Sequence, residues 1–312
     1  MSLIEKDAPV LKNKTTKAEI KRQSILLIIA GLYVIYGIVF YYLPLLGWIM
    51  AFQNYKPRDG LFGSEFVGLK WFKFLFEDKT FLRVLRNTLA MGVINLVATT
   101  ITAIGFAILL SEVRNVLGKK IVQTISYLPH FLSWIVVTSI VRDAFATKGM
   151  INELLLNLHI IKTPISYFME TKYFWPIVAI SNVWKETGWN AIIYLATITA
   201  IDPSLYEAAA MDGAGRWQKI KNITLPGIRS TIIILLIMNI GNVINAGFEI
   251  QYLLGLGVLL PVSQTIDIYV LNYGMSNFSL GTAAGIFKTF VSMILIFTFN
   301  YIAKKTGDER LF

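Results

Sequence analysis

The 312-residue sequence contains no cysteine, so a disulfide, a thiolate metal site and a cysteine nucleophile are all excluded. Charge is scarce too. Only 15% of residues are charged against 55% hydrophobic, with a mean hydropathy of +0.60, which sets the chain apart from soluble domains. A phosphate-binding loop of the form Gly-x-x-x-x-Gly-Lys-Ser/Thr is missing. Gly118-Lys119 is followed by Lys120 and has Val113 where the leading glycine would stand, and Gly285 is followed by Ile286. Carboxylates within the apolar stretches are too few and scattered for a convergent acid–base pair. No catalytic residue or metal ligand is therefore assigned, and no enzyme is expected. No internal repeat or low-complexity tract is present. The net charge of +10 is read as setting membrane orientation and meeting anionic headgroups, with no nucleic-acid partner.

What the chain does have is long apolar runs. A helix needs about 20 mostly apolar residues to cross the hydrocarbon core. Stretches of that order occupy residues 24–51, 87–110, 121–141, 173–201 (with Lys185 and Glu186 inside), 230–249 and 283–303 (with Lys288 inside). The fold expected is an all-α membrane protein with six transmembrane helices in one domain, 24–303, embedded in the lipid bilayer. The run 250–260 is broken by Gly255 and Gly257 and stops at Pro261, which suits a loop or re-entrant piece. The first run is too long for a signal peptide and lacks a small-residue cleavage pattern.

Lys and Arg placement puts both termini in the cytoplasm. The segment 1–23 carries Lys6, Lys12, Lys14, Lys17, Lys21 and Arg22, and the tail 304–312 carries Lys304, Lys305 and Arg310. The connections after spans two and four are basic as well, and 250–282 has no Lys or Arg. The loop 56–86 runs against this pattern with seven basic residues. Its aromatics, Phe66, Trp71, Phe72, Phe74 and Phe76, suggest a helix lying in the headgroup layer with its basic side chains snorkelling.

Between spans four and five, residues 202–226 read as a structured knob. Asp202 suits an N-cap and Pro203 the first helical position. Glu207 to Met211 are good helix formers, and Gly213 is placed to end the helix in the left-handed conformation. A second short helix is expected over 214–223, with Pro226 marking the approach to span five. This segment closely resembles the signature of binding-protein-dependent ABC importer permeases: Glu-Ala-Ala, two residues, Asp-Gly-Ala, eight residues, Ile-x-Leu-Pro. Glu207, Ala208, Ala209, Asp212, Gly213, Ala214, Ile223, Leu225 and Pro226 fill its positions. One departure is Ser230, where sugar permeases of this kind often have a second proline. Weaker likenesses to the carbohydrate branch, in particular permeases for oligosaccharides and polysaccharide fragments, lie at 149–152, 184–194 and 281–305.

The resemblance implies a type I ABC importer permease in the bacterial plasma membrane, crossing it several times. It further implies that the knob docks on separate cytoplasmic ATPase subunits, where ATP and Mg bind, so that this chain holds no cofactor. A second permease subunit, expected to make a heterodimer, and an extracytoplasmic solute-binding protein complete the partners. The solute implied is a sugar.

Polar residues inside spans are costly and default to functional hypotheses. Asn239, Asn242, Asn245 and Glu249 recur at intervals of three and four, which suits one helix face. Asn182, Lys185, Glu186 and Trp189 cluster on span four beside Trp184. The two faces are expected to line the solute route, with amides bonding hydroxyls and Trp184 or Trp189 offering a ring face. The same spacings also suit hydrogen bonds between helices. Thr88, Gly92, Asn95, Thr99 and Thr102, and Gly281 with Gly285, read as helix-packing stripes. His130 follows Pro129 and is expected at a bend or in a satisfied polar contact, while no spacing gives Lys288 an acidic partner. Two other readings stay open: an ion-coupled secondary transporter working through Lys185, Glu186 and Glu249, and an ABC permease for amino acids or peptides.

Overall fold

The computed structural model describes residues 22–305, so the segments expected to be cytoplasmic, 1–23 and 304–312, lie outside the described residues except at 22, 23, 304 and 305. Helices of seven residues or more are numbered here in chain order. Two units are present, residues 1–49 and 50–312. Among the described residues the first consists of α1, Ser24–Gly37, then a π turn, Ile38–Tyr42, and a 3₁₀ stretch starting at Leu43. The changes of pitch surround Pro44, whose ring presses on the carbonyl four residues back and which has no N–H to give. No side chain of α1 is buried. A helix that is apolar all round suits lipid as its solvent.

In the second unit a two-residue antiparallel ribbon, β1 Gln53–Asn54 with β2 Glu65–Phe66, pairs Gln53 with Phe66. Helix α2, Lys70–Glu77, is fastened to it by the Trp71 indole N–H, which donates to the Gln53 carbonyl at 2.9 Å. Leu75 is buried, while Phe74 and Phe76 remain exposed. Helix α3, Lys79–Glu112, is longer than the expected span 87–110. The Asp78 carboxylate caps it, accepting from the Thr80 and Phe81 N–H groups at 2.8 and 3.3 Å. This start places Lys79, Arg83 and Arg86 on the helix, so the loop that defied the charge pattern shrinks to 56–78.

Two expected spans are corrected. The stretch 121–141 is not one straight helix: α4, Val116–Tyr127, runs through a 3₁₀ turn, Leu128–Phe131, and meets α5, Trp134–Ala144, at 104°. Pro129 sits in that turn, and Leu132 and Ser133 are extended, so the helical ladder cannot cross the break. The stretch 230–249 also breaks. Helix α9, Arg229–Ile240, ends at Gly241, and α10, Phe248–Leu254, starts only after Ala246 and Gly247, both left-handed with φ 46° and 76°. Asn239, Asn242, Asn245 and Glu249 therefore do not share a single helix face.

Helix α6 is Met150–Asn157, α7 is Phe174–Thr199, α8 is Pro203–Met211, α11 is Ile266–Gly274 and α12 is Phe278–Lys305. Among the described residues three helices are long and apolar enough to cross a membrane, or up to five if each bent pair counts as one. Helix α7 is 26 residues long but falls outside that set, since its centre carries Asn182, Lys185, Glu186 and Asn190. Lys288, which sequence spacing left without a partner, meets Asp267 of α11 at 2.5 Å.

Apolar side chains of α3, α5, α7, α10, α11 and α12 contribute to three core clusters, with α9 packed against one of them, and α3 lies along α7. Beyond α5 the chain is pinned by Asn152, only 1% exposed, whose amide donates to the Ala146 and Ile165 carbonyls and accepts from the Ile165 N–H at 2.9–3.0 Å. Asn152→Ala strands all three groups and is expected to cost about 1–3 kcal/mol, read as a lowered unfolding temperature of the solubilised protein.

Candidate functional site

A cavity of about 620 Å³ opens between α3, α7, α9 and the turn 242–247, within the size range of small-ligand sites. Of the residues expected along the solute route, Asn182, Glu186, Trp189, Asn239, Asn242 and Asn245 line it. The three asparagines of the fifth stretch reach it by a different route from the one expected: Asn239 from the end of α9, and Asn242 and Asn245 from the turn beyond. Trp184, Lys185 and Glu249 are absent from the lining. Asn95, Asn190 and Tyr194 also face the cavity and were missed; Asn95 had been read only as part of a packing stripe. It serves both purposes, since the Asn182 amide donates to its oxygen at 3.4 Å.

The turn comes close enough to wall the cavity because α3 has Gly92 there. A Cβ at that position would stand 1.8 Å from the Val243 carbonyl oxygen. Thr102 and Thr187 hydroxyls bond at 2.9 Å between α3 and α7, and the Ile266 N–H donates to Thr88 at 3.0 Å. The stripe on α3 thus makes helix contacts as expected. On α12, Gly281 abuts Gly274, whereas Gly285 faces open space.

Lys185, 5% exposed, turns instead to the break after α4. Its ammonium donates to the His130 carbonyl at 2.5 Å and the Pro129 carbonyl at 3.4 Å, and lies 3.6 Å from Glu186 Oε1. A cation at a helix C-terminus offsets the charge of its free carbonyls, and a buried ammonium requires such partners. His130 Nδ1 donates to Glu186 Oε2 at 2.8 Å.

Residues 202–226 fold as two helical pieces standing clear of the core. The Asp202 carboxylate caps α8, accepting from the Ser204 N–H at 2.9 Å. That bond holds its pKa below the usual carboxylate range, so the cap is fully present above the unfolded value and is lost as pH falls through the lowered one. The helix ends with Gly213 at φ 78°. The Ala214 N–H donates to Ala209 O at 2.8 Å and the Gly213 N–H to Ala210 O at 3.1 Å, the paired bonds of a Schellman end.

The second helix differs from the expected 214–223. It runs Arg216–Gly227, passing through Ile223, Leu225 and Pro226, and bends by 56° into α9. A π turn, Ile220–Thr224, lets Pro226 sit inside it, with the Leu225 N–H donating five residues back to Ile220. Tyr206 and Thr224 hydroxyls brace the two pieces at 3.0 Å. No residue of α8 is buried, and Met211 and Trp217 are 89% and 74% exposed. Glu207, Ala208, Asp212 and Gly213 are exposed, while Ala209 and Ala214 are half-buried. Glu207 has no ion pair among the described residues.

A family model described as the binding-protein-dependent transport system inner membrane component matches residues 99–307. The chain is 42% identical to Protein LplB of Bacillus subtilis (strain 168), over 99% of this chain and 98% of that one. It is 41% identical to the polygalacturonan/rhamnogalacturonan transport system permease protein YteP of the same organism, over 100% of both. A solved bacterial alginate ABC transporter, in complex with an alginate pentasaccharide-bound periplasmic protein, contains a chain that is 33% identical to it. The two superpose with a TM-score of 0.84 over 93% of this chain and 97% of that one. The match takes in the knob and most of the cavity wall, and the chain belongs to the binding-protein-dependent transport system inner membrane component family, the membrane permeases of ABC importers.

Proposed function

We propose that the chain is one half of a two-permease importer for oligosaccharides or polysaccharide fragments, with the 620 Å³ cavity as its part of the solute route. In this reading six segments cross the bacterial plasma membrane, α7 and both bent pairs among them, and the two termini are cytoplasmic. Helix α7 can cross despite its polar centre because its polar side chains face the cavity and the α4–α5 break, with eleven of its residues buried. The knob docks on a separate ATPase carrying ATP and Mg, and an extracytoplasmic binding protein delivers the solute. The second permease is a different chain.

The observation that carries this reading is the cavity's chemistry. Its polar lining is mostly amides and hydroxyls, with one indole and a single carboxylate. Amides match sugar hydroxyls, and the Trp189 ring offers an apolar face to a pyranose. The named solutes of YteP and of the alginate transporter support a carbohydrate. Ion coupling through Lys185, Glu186 and Glu249 is disfavoured, since Lys185 is committed to the helix break and Glu249 is off the cavity.

The test is purification from the native membrane followed by reconstitution with the ATPase, the second permease and the binding protein. ATP-dependent oligosaccharide uptake is expected, and Trp189→Ala is expected to lower it about tenfold, the equivalent of ~1.4 kcal/mol. Recovery of the chain without an ATPase, or uptake of peptides and not sugars, overturns the reading.

A further inference from the structure

His130 does not line the cavity, yet two side chains that do are held by it. Its Nδ1–H donates to Glu186 Oε2 at 2.8 Å. Its ring lies flat on the Trp189 indole, with centroids 4.4 Å apart and an interplanar angle of 1°. Phe131 closes the group with its ring edge-on to both, at 5.6 Å from each centroid. The main chain of His130 is itself fixed from behind. Lys185 binds the His130 carbonyl at 2.5 Å, and its ammonium stands over the Trp134 ring at 5.3 Å, so both sides of the α4–α5 break are tied to the same ammonium. An isolated carboxylate on a helix samples several rotamers, and an unstacked indole does so too. Here one imidazole restricts both, joined at the carboxylate by the Lys185 ammonium 3.6 Å from Glu186 Oε1.

We infer that His130 is a positioning residue for solute transfer: it fixes the Glu186 carboxylate and the Trp189 indole in the orientation they present to the cavity, and Lys185 fixes His130. The inference rests on the permease reading above. It differs from a packing role in what it predicts. A packing residue, when lost, lowers the amount of working transporter, so uptake and ATP hydrolysis fall together. A positioning residue in the solute site lowers the solute moved per ATP while hydrolysis continues.

The experiment uses the full complex in proteoliposomes, with galacturonate and neutral hexasaccharides delivered by the solute-binding protein as probes. His130→Ala removes both the hydrogen bond and the stack, and uptake per ATP is expected to fall about tenfold with the hydrolysis rate within about twofold of wild type. His130→Phe restores the stack and His130→Asn the hydrogen bond, and each is expected to recover part of the loss. A wild-type ratio in His130→Ala, or a proportional fall in both rates, overturns the inference. If the alanine variant does not fold, His130→Phe tests the hydrogen-bond half of the inference with the ring volume kept: a wild-type ratio of uptake to hydrolysis there overturns it.

A second readout needs no solute. Because the chain has no cysteine, Asn190→Cys places a single thiol on the cavity wall, and its labelling rate by a small maleimide is expected to change severalfold when His130→Ala is added. An unchanged rate overturns the inference. Failure of wild type to move either hexasaccharide would instead bring down the sugar reading, leaving the labelling rates to decide the role of His130.

Discussion

Gly213→Pro is expected to abolish solute uptake while leaving the chain in the membrane in normal amount. The native φ at this position is 78°, which proline, locked near −65°, cannot adopt. The substitution also deletes the N–H that closes onto Ala210. Both effects fall on the junction between α8 and the Arg216–Gly227 helix, so the angle between the two pieces changes. The membrane-embedded core is spared, because no buried member of its clusters lies between 199 and 227, where only the half-buried Ile201 packs against one of them. A loss of ~3 kcal/mol in the docked geometry corresponds to about a hundredfold in affinity for the ATPase. Uptake and co-purification of the ATPase check this together. A variant that still transports at near the wild-type rate would show that the knob is only a connector.

Gly92→Ala carries the largest expected cost in stability. The added Cβ would lie 1.8 Å from the Val243 oxygen and 2.6 Å from its carbonyl carbon. Backbone atoms cannot rotate aside as a flexible side chain can, so α3 and the 243–245 turn must separate. Overpacking of this kind costs about 1–3 kcal/mol, with more where backbone must shift. The same movement spreads the cavity wall, so uptake is expected to fall along with the unfolding temperature. Gly285→Ala is the control. That position faces open space, and its variant is expected to stay within about 0.5 kcal/mol of wild type. Equal behaviour of the two alanine variants would refute the close approach.

The contrast between the knob and the cavity shows which parts of the fold the sequence could disclose. Asp202, Pro203 and Gly213 obey local rules of capping and handedness, which depend on a few neighbouring residues, and the helix they bound is where they place it. The break at 132–133 was half legible, in the bend expected beside Pro129 and His130, while that at 241–247 was written in Gly241, where an apolar run of spanning length outweighed a single punctuating residue. Trp184 could have been sorted by geometry alone, since it lies roughly 200° around the helix from Asn182. Lys185 could not. Its partners are carbonyls at a break 55 residues earlier, and no periodicity encodes a main-chain acceptor on another helix. The Asp267–Lys288 pair was hidden because its two side chains stand on different helices, 21 residues apart. Asn95 was ambiguous because an asparagine that bridges helices and one that faces a cavity leave the same mark in sequence.

The knob leaves the core at Ile201, which packs against the cluster joining α3 to α7 and α9, and returns through Ile228, a buried member of it. Ala103 and Tyr194 of that cluster, with Leu235 packed on it, are also cavity wall. In mechanical terms this is one packed body: a displacement imposed at the knob reaches α7 directly and α9 through the bend of 56° after Gly227. The degrees of freedom lie at its margins, at the left-handed pair Ala246–Gly247 and at the break beside His130. In the importer proposed above, stiffening either margin, and not the knob, is expected to slow the cycle without weakening the grip of the ATPase.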